Sequence, residues 1–465
     1  MEHVSTRGEA PVLDFRGATL AGLAADGGLY VPARWPRLEP SEWRALAHLD
    51  YAATAVRLLE PFIGSALETP ILERLVREAL ATFAHAAVTP LVQLDHRHWL
   101  LELHHGPTLA FKDIALQLLG RLFAQFTRED PQPLVIVGAT SGDTGSAAIR
   151  AVAGLPGLRI VMLHPLGRVS DVQRRQMTTV EAANVVNVAV EGTFDDAQAM
   201  VKRVLADPAA RARHRLTAVN SINWARLVAQ TVYYAYAAVR LGAPERPVSF
   251  AVPTGNFGDA FAGFVAARMG LPIARLIVAT NVNDIMTRAL ERGDYSRRDV
   301  AATETPSMDI QVASNFERLF FELSGRDPRA TRVAMEGFAR TGRLSLPPDL
   351  LAAARAIFRG RRVERDEMAE AMRWAWRAAG ALVDPHTAVG LAAARAEAAS
   401  LSGPIVTLAT AHPAKFPETV EAITGVFPAL PARAGPLFER PERCLTMPAD
   451  ARALLRLLDE QLQPA

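Results

Sequence analysis

One lysine, Lys112, lies where its amine could act as a nucleophile. It follows Phe111 in the segment HHGPTLAFKD at 104–113, whose glycine and proline predict a loop. Apolar residues recur at helical spacing over 115–126, so a helix with one buried face begins beside the lysine. Partial burial and the positive end of a helix both disfavour an ammonium, which frees the amine for Schiff-base chemistry with an aldehyde. The alternative is a lysine that points to solvent and pairs with Asp113.

A glycine-containing loop is the second chemical signal. Gly255, Asn256, Phe257 and Gly258 follow a predicted strand over 248–252. Two glycines let backbone N–H groups approach an anion closely, and the next helix adds the positive end of its dipole. The loop lacks the Gly-Lys-Ser/Thr ending of a P-loop and is not a dinucleotide fingerprint. We therefore predict a phosphate-binding loop, with a plain tight turn as the alternative.

Two further segments carry polar side chains at predicted helix starts. Thr140, Ser141 and Thr144 can bind a carboxylate without a cation, unless Ser141 or the neighbouring Asp143 simply caps the helix. Asn220, Ser221 and Arg226 lie on a loop and on the first turns of a helix predicted to continue through Val232. Arg226 offers a planar fork suited to phosphate, and a solvated position on the helix face is its alternative.

Thr410 closes a predicted strand over 404–409, where its hydroxyl serves either a ligand or the strand itself. His412 and Lys415 follow it. They could add positive charge or act on a leaving phosphate, but a histidine before proline is more often a satisfied turn residue.

The elements that would position these loops form a repeated strand, loop and helix pattern. Short apolar strands are predicted over 134–137, 159–163, 185–190, 248–252, 276–279 and 404–409. This alternation predicts an α/β fold with parallel sheets covered by helices. In such sheets ligands collect beyond the carboxyl ends of the strands, which is where these loops lie.

The remaining regions are predicted to be mostly helical. Asp50 can cap a helix over 51–59, and a second helix begins at Thr69 with proline in its first turn. Charged, alanine-rich helices follow between 281 and 400, with Asp366 and Asp384 as available caps. Prolines after 427 predict an irregular tail that ends in a short helix, 451–458.

Composition narrows the classes of function. The chain has 465 residues, half of them hydrophobic, which suffices for two or three domains. Its 51 Lys and Arg residues nearly balance 49 Asp and Glu residues, so it lacks the charge of a nucleic-acid binder. A single cysteine, Cys444, argues against disulfides and cysteine-rich metal sites. Because no signal peptide or membrane-spanning stretch is evident, we expect a cytoplasmic protein with no membrane partner.

These motifs, taken together, resemble those of the threonine synthases in their long bacterial and fungal form. The matching segments keep the family's order and cover nearly the whole chain: Ser5-Thr6-Arg7-Gly8, ADGGLYVP at 25–32, HGPTLAFKD at 105–113, ATSGDTG at 139–145, NSINWAR at 220–226, PTGNFGD at 253–259 and TAHPAKF at 410–416. The resemblance implies an α/β fold of pyridoxal-phosphate fold type II, the tryptophan synthase beta type, with two sheet domains and a helical N-terminal domain. We expect an N-terminal domain over 1–90, a large cofactor-binding domain over 91–130 and 231–430, a small domain over 131–230, and a tail over 431–465.

The resemblance also implies roles for the site residues. Lys112 would carry pyridoxal 5'-phosphate and act as the catalytic base. Thr410 would bond the pyridine nitrogen of the cofactor. The cofactor phosphate would be held by four loop residues, Gly255, Asn256, Phe257 and Gly258. Thr140 and Ser141 would bind the substrate carboxylate, and the substrate phosphate would fall to Thr144, Asn220, Ser221 and Arg226. Asp143 would face the 3-hydroxyl of the cofactor, where shorter relatives carry asparagine.

The implied reaction converts O-phospho-L-homoserine and water into L-threonine and phosphate, without a metal, in a monomer or homodimer. Another fold-type-II enzyme, such as a threonine or serine dehydratase, is the nearest alternative, and it would lack the second phosphate site. A non-catalytic protein that binds a phosphometabolite is an alternative of a different class.

Overall fold

The computed structural model describes residues 1–461, without the side chains of residues 211, 212 and 461. Its strands are β1 (His3–Ser5), β2 (Tyr30–Pro32), β3 (Leu91–Gln93), β4 (His98–Glu102), β5 (Leu134–Ala139), β6 (Leu158–Pro165), β7 (Val185–Glu191), β8 (Arg215–Thr217), β9 (Val248–Pro253), β10 (Ile273–Thr280), β11 (Phe358–Arg362), β12 (Ile405–Ala409) and β13 (Leu445–Pro448).

The α-helices are α1 (Phe15–Ala21), α2 (Pro40–Leu46), α3 (Tyr51–Ile63), α4 (Thr69–Leu80), α5 (Lys112–Thr127), α6 (Asp143–Val152), α7 (Asp171–Thr178), α8 (Phe194–Ala206), α9 (Pro208–Arg213), α10 (Trp224–Val228), α11 (Thr231–Arg240), α12 (Gly258–Arg268), α13 (Ile285–Arg292), α14 (Phe316–Leu323), α15 (Pro328–Thr341), α16 (Pro348–Arg355), α17 (Arg365–Ala379), α18 (Pro385–Glu397), α19 (Pro417–Thr424) and α20 (Ala451–Gln461). Short 3₁₀ turns lie at Gly64–Ala66, Pro306–Met308, Ala398–Ser400, Pro413–Lys415 and Ala432–Ala434.

The larger sheet places the strands in the order β11-β10-β9-β12-β4-β3. Every neighbouring pair is parallel except β3 with β4. Strands β9 and β12 are buried at every position, which explains why their sequences are apolar apart from Ser249 and Thr407. Because β12 lies between β9 and β4, the carboxyl ends of these three strands share one edge of the sheet. The segments that follow them carry the glycine loop, Thr410 and Lys112.

The smaller sheet is parallel throughout, in the order β13-β7-β6-β5-β8. Apolar residues of its central strands form one core with α8 and with Leu454 and Leu458 of α20. The prediction of an irregular tail is incomplete, because the tail also contributes the edge strand β13, whereas the short helix predicted over 451–458 is confirmed as α20. The parallel α/β architecture predicted for both sheets is confirmed.

The chain divides into two compact units. The first contains residues 1–19, 23–115 and 221–430, and the second contains residues 20–22, 116–220 and those from 431 onwards. Residues 1–90 thus fall almost entirely in the unit that holds the larger sheet. The separate domains over 1–90, 91–130 with 231–430, and 131–230 stay a prediction.

Helix caps decide where several helices begin. Asp50 accepts a hydrogen bond from the Ala53 N–H at 2.7 Å and caps α3, as predicted. Asp384 caps α18, also as predicted. The cap predicted at Asp366 is wrong, because α17 begins at Arg365 and so already contains Asp366. Glu364 is the N-cap residue and forms the capping box. Over residues 1–461 no helix is long and apolar enough to cross a membrane.

Candidate active site

Lys112 is the first residue of α5, as the sequence predicted. Its side chain is partly buried, and its Nζ lies 5.2 Å from the centre of the Phe111 ring. The segment before it turns sharply, since Leu109 has a φ of +63°. The lysine therefore stands at the junction of a fixed loop and a buried helix.

Backbone hydrogen bonds join the Lys112 loop to the segment that follows β12. The Phe111 N–H donates to the Thr410 carbonyl at 2.8 Å, and the His412 N–H donates to the Leu109 carbonyl at 3.0 Å. Ala110 and Ala411 form an antiparallel bridge between these two bonds. Lys112 and Thr410, which are distant in sequence, are consequently held on adjacent backbone.

The carboxyl group of Asp113 braces the loop from inside. It is fully buried, and its two oxygens accept from the Thr108 N–H and Oγ1, each at 2.8 Å. A Cβ on Gly106 would lie 2.5 Å from Asp113 Oδ2, so this position requires glycine. Burial raises the pKa of Asp113 to about 6, although the bonds from Thr108 and the charge of Lys415 oppose the rise. Lys415 is also fully buried and donates from Nζ to the Thr108 carbonyl at 2.8 Å.

Thr410 is positioned through α18. Its N–H donates to Thr387 Oγ1 at 3.2 Å, and Thr387 in turn bonds to the capping carboxylate of Asp384. Thr410 is 6% exposed, and its hydroxyl makes no hydrogen bond to any residue of 1–461. A nearly buried hydroxyl in this state suits a polar ligand atom such as a ring nitrogen.

The glycine loop follows β9 and carries a run of available donors. The N–H groups of Gly255, Asn256, Phe257 and Gly258 make no hydrogen bond within the described chain. Phe257 adopts a left-handed φ of +63°, and its buried ring packs 5.4 Å from that of Phe358. A Cβ on Gly255 would lie 2.5 Å from a backbone oxygen of the facing turn. Consecutive unbonded amides at the start of α12 fit a phosphate group.

A buried carboxyl group lies directly after this loop. Asp259 Oδ1 accepts from the hydroxyls of Tyr233 and Tyr234 at 2.5 and 2.9 Å, whereas Oδ2 has no hydrogen-bond partner in the described chain. Burial raises the pKa of Asp259 to about 6. An anion bound at the loop would favour the protonated form further, because like charges repel.

The Ser221 segment differs from its prediction in one way and rules out one stated alternative. The helix predicted to continue through Val232 is two helices, α10 and α11, with a turn at 229–230. Arg226 does not lie on a solvated face, since it is only 5% exposed, and burial lowers its pKa to about 10. A cation held in this environment gains strongly from a partner anion. Ser221 and Arg226 belong to the first unit, whereas Asn220 belongs to the second.

The loop over 140–144, in the second unit, is ordered by hydrogen bonds among its own residues. Thr140 Oγ1 accepts from the Gly142 N–H at 3.0 Å and from the Gly145 N–H at 2.9 Å. Thr140 therefore holds the start of α6, and the alternative of a side-chain cap by Ser141 or Asp143 is wrong. The hydroxyls of Ser141 and Thr144 make no hydrogen bond within the described chain, which leaves them available to a ligand.

Gln173 is a residue of this unit that sequence reasoning missed. Its Nε2 donates to Asp143 Oδ1 at 2.8 Å and so orients the carboxylate from α7. A Cβ on Gly142 would lie 2.5 Å from the Gln173 side chain, which explains the glycine and its φ of +143°. The only local signal was the Ser170 cap at the start of α7.

Two N-terminal segments, residues 5–8 and 25–32, are held together by hydrogen bonds and are called the N-terminal signature below. Asp26 accepts bonds from the Ser5 hydroxyl, both at 2.8 Å, and from the Gly28 N–H at 2.9 Å. These bonds stabilise the turn that precedes β2, and β2 pairs with β1 in an antiparallel register. The turn is not a simple hairpin connection, because α1 lies between the two strands.

A lysine at a loop-to-helix junction, a loop of unbonded amides and a nearly buried hydroxyl together fit pyridoxal phosphate. Among residues 1–461 no group of three or more His, Cys, Asp or Glu side chains could hold a metal ion. Fold and site thus define a pyridoxal-phosphate-dependent enzyme of fold type II, and the family model for "Pyridoxal-phosphate dependent enzyme" matches residues 83–411. Models for the threonine synthase N terminus and C-terminal region match residues 2–80 and 387–457.

Individual relatives agree with these models. The threonine synthase of Pseudomonas aeruginosa is 50% identical over 449 residues, which are 96% of each chain. The crystal structure of pyridoxal-phosphate-bound threonine synthase from Brucella melitensis covers all of both chains with a TM-score of 0.97 and 50% identity. That of the Escherichia coli threonine synthase has a TM-score of 0.82 at 32% identity, over 99% of this chain and 100% of that one. The chain belongs to the threonine synthase family, which confirms the resemblance stated above.

Proposed function

We propose that the chain converts O-phospho-L-homoserine and water into L-threonine and phosphate with pyridoxal phosphate as cofactor. The observation that carries this proposal is that the unit that holds Lys112 contains two segments whose donors suit an anion, called the anion-binding segments below. One is the glycine loop, and the other contains Ser221 and the buried cation of Arg226. A dehydratase acting on threonine or serine needs only the first, because its substrate bears no phosphate.

We assign the cofactor to three parts of the first unit. The Lys112 amine would hold its aldehyde carbon, the N–H groups of the loop over 255–258 its phosphate, and the Thr410 hydroxyl its ring nitrogen. When bound, the cofactor supplies an electron sink that acidifies the carbon next to the substrate nitrogen. Thr410 offers that ring nitrogen a neutral hydroxyl instead of a carboxylate, so it does not favour a protonated ring.

The Lys112 amine is assigned the proton transfers, because substrate binding releases it within the site. It would remove the proton from Cα and then assist removal of one from Cβ, after which phosphate leaves from Cγ. A proton is then added at Cγ, the hydroxyl group of water is added at Cβ and a proton returns to Cα, which gives threonine; the remaining proton of the water leaves with the phosphate. The bonds of Asp113, Thr108 and Lys415 would keep the amine in place, since they fix the loop that precedes α5.

The substrate's two anionic groups are assigned to hydroxyls, amides and one arginine. Arg226, Ser221 and Asn220, with a contribution from Thr144, would bind the phosphate. Thr140 and Ser141 would bind the carboxylate; the Thr140 hydroxyl can donate its proton outward while it accepts from two amides of α6. The small-molecule partner is thus O-phospho-L-homoserine. A cytoplasmic location and a monomer or homodimer stay predictions.

The test is incubation of purified protein with O-phospho-L-homoserine while free phosphate and amino-acid product are both followed. We expect equal amounts of threonine and phosphate, and no sustained turnover by Lys112→Ala. A 2-oxo acid in place of threonine would establish the dehydratase alternative. Absence of any product despite bound cofactor would refute the proposed reaction and favour a binding role.

A further inference from the structure

Asn315, at the start of α14, contacts both anion-binding segments of the first unit. Its backbone N–H and its Nδ2 donate to the Asn256 carbonyl at 3.1 and 3.2 Å. The same Nδ2 donates to the Ser221 carbonyl at 3.1 Å. One buried amide therefore bridges the glycine loop and the Ser221 segment, which are distant in sequence.

This use of the side chain is unusual for its position. Asn315 is the N-cap residue of α14, and an asparagine there normally accepts a bond from an N–H of the first turn. Here the side chain makes no capping bond, and its donors point to two carbonyl groups outside the helix. Gly258 allows the close approach, because a Cβ at that position would lie 3.1 Å from Asn315 Nδ2.

Arg318 fixes the orientation of the Asn315 amide. It is fully buried, and its guanidinium donates to Asn315 Oδ1, which leaves Nδ2 to face the two carbonyls. Its Nη2 also donates to the Ile222 carbonyl at 2.6 Å, one residue beyond Ser221. The Tyr30 carbonyl accepts two further bonds from the guanidinium, at 3.1 and 2.9 Å.

The N-terminal signature holds α14 in turn. Glu317 accepts from Thr6 Oγ1 at 2.6 Å and from Arg7 Nε and Nη2 at 3.0 and 2.8 Å. Tyr30, bonded to Arg318, is the first residue of β2. The brace formed by β1, β2 and the Asp26 turn is thereby connected through α14 to both anion-binding segments.

We propose that Asn315, oriented by Arg318, is a positioning residue. It holds the glycine loop, which binds the cofactor phosphate, and the Ser221 segment, which binds the substrate phosphate, in one fixed arrangement. Neither segment can move by an ångström without breaking a bond to the same amide. Binding at one segment therefore favours the geometry needed at the other. This inference rests on the proposed function for the identity of the two anions, although the bridge itself does not depend on it.

The variant that tests it is Asn315→Asp. Aspartate keeps the size of the side chain and an acceptor for Arg318, but it replaces the shared donor with an oxygen that faces two carbonyl oxygens. Ser314→Ala is the matched control, because it removes only the exposed bond to Asn256 Oδ1 at 3.2 Å from the neighbouring residue. The measurements are the Kd of apoenzyme for pyridoxal phosphate and the Kd of holoenzyme for inorganic phosphate, with the thermal midpoint as a check on folding.

We expect Asn315→Asp to raise both dissociation constants about 10-fold or more, since two hydrogen bonds to carbonyls are lost. Ser314→Ala should change each by less than about 2-fold. A folded Asn315→Asp protein in which one constant or neither changes would overturn the proposal. If the aspartate variant does not fold, Asn315→Ala, which removes the donor without adding charge, takes its place. Failure of the wild type to form threonine would refute the proposed function alone, because neither binding measurement requires turnover.

Discussion

Replacement of Asp113 by asparagine should change how the stability of the protein depends on pH. The carboxyl group is fully buried behind the Lys112 loop, and burial raises its pKa from an ordinary value of 3.8 to about 6. The folded protein therefore holds this proton more tightly than the unfolded chain does. As pH rises between these two values the unfolded chain ionises first, so the folded state loses stability, and the loss is complete above pH 6.

The size of the effect follows from the shift in pKa. A shift of roughly two units corresponds to about 3 kcal/mol, of which about 2 kcal/mol falls between pH 4.5 and 7.5. The asparagine side chain of the variant cannot ionise and escapes this loss. With an unfolding entropy of about 2 cal/mol/K per residue over 465 residues, 2 kcal/mol corresponds to a change in Tm of about 2 °C.

The assay is thermal unfolding of wild type and Asp113→Asn across this pH range with saturating pyridoxal phosphate. The Tm of the variant relative to wild type should rise by about 2 °C from pH 4.5 to pH 7.5. Any constant offset from the altered bonds to Thr108 cancels in this comparison. Asp299→Asn, at an exposed position, is the control and should show no such trend. A relative Tm that stays flat with pH, or falls, would show that burial does not disfavour the Asp113 carboxylate.

Substitutions at Gly255 and Thr410 test other parts of the site, with Gly337→Ala as a control outside it. Gly255→Ala places a Cβ 2.5 Å from the Ser307 carbonyl oxygen, so it should weaken pyridoxal phosphate binding about 10-fold or more in an equilibrium titration. Gly337→Ala, whose Cβ would meet nothing within 4 Å inside a helix, should leave binding unchanged and stabilise the folded state by up to about 1 kcal/mol. Thr410→Val keeps the shape of the side chain but removes the hydroxyl, and it should lower kcat about 10-fold and alter the absorption of the bound cofactor, whereas Thr410→Ser should restore both.

Each of these has a contrary outcome. Unchanged cofactor affinity in Gly255→Ala would show that the loop tolerates displacement. A loss of affinity in Gly337→Ala would mean that the titration reports general damage. Equal spectra for Thr410→Val and wild type would remove the hydroxyl from the cofactor site.

The parts of the site that could be predicted from sequence have local causes. An apolar run such as 248–252 forms a buried parallel strand, and a glycine-rich loop after such a strand must lie at the carboxyl edge of the sheet. The same argument located Thr410 after β12. The position of Lys112 at a helix start followed from the change from a glycine and proline loop to a helical apolar pattern, whereas its role rests on the family resemblance.

The missed features depend on partners that are distant in sequence. Nothing near Asn315 indicates that its amide bonds to carbonyls of Asn256 and Ser221. The edge strands β11 and β13 carry charged or exposed residues, so their sequences lack the apolar runs that marked the buried strands. Burial of Arg226 depends in the same way on packing that the helical pattern around it does not encode.

The place of β12 in the larger sheet has a consequence for synthesis of the chain. It pairs with β4 on one side and β9 on the other, yet it is the last of the six strands to be translated. Ribosomes add roughly 5–20 residues per second, so β4 waits about 15–60 s for its central neighbour. Until then the nascent sheet is split, and the backbone bonds between the Lys112 loop and Thr410 cannot form. The cofactor can therefore bind only after nearly the whole chain has been translated. Pairing of segments that are this distant in sequence also slows folding.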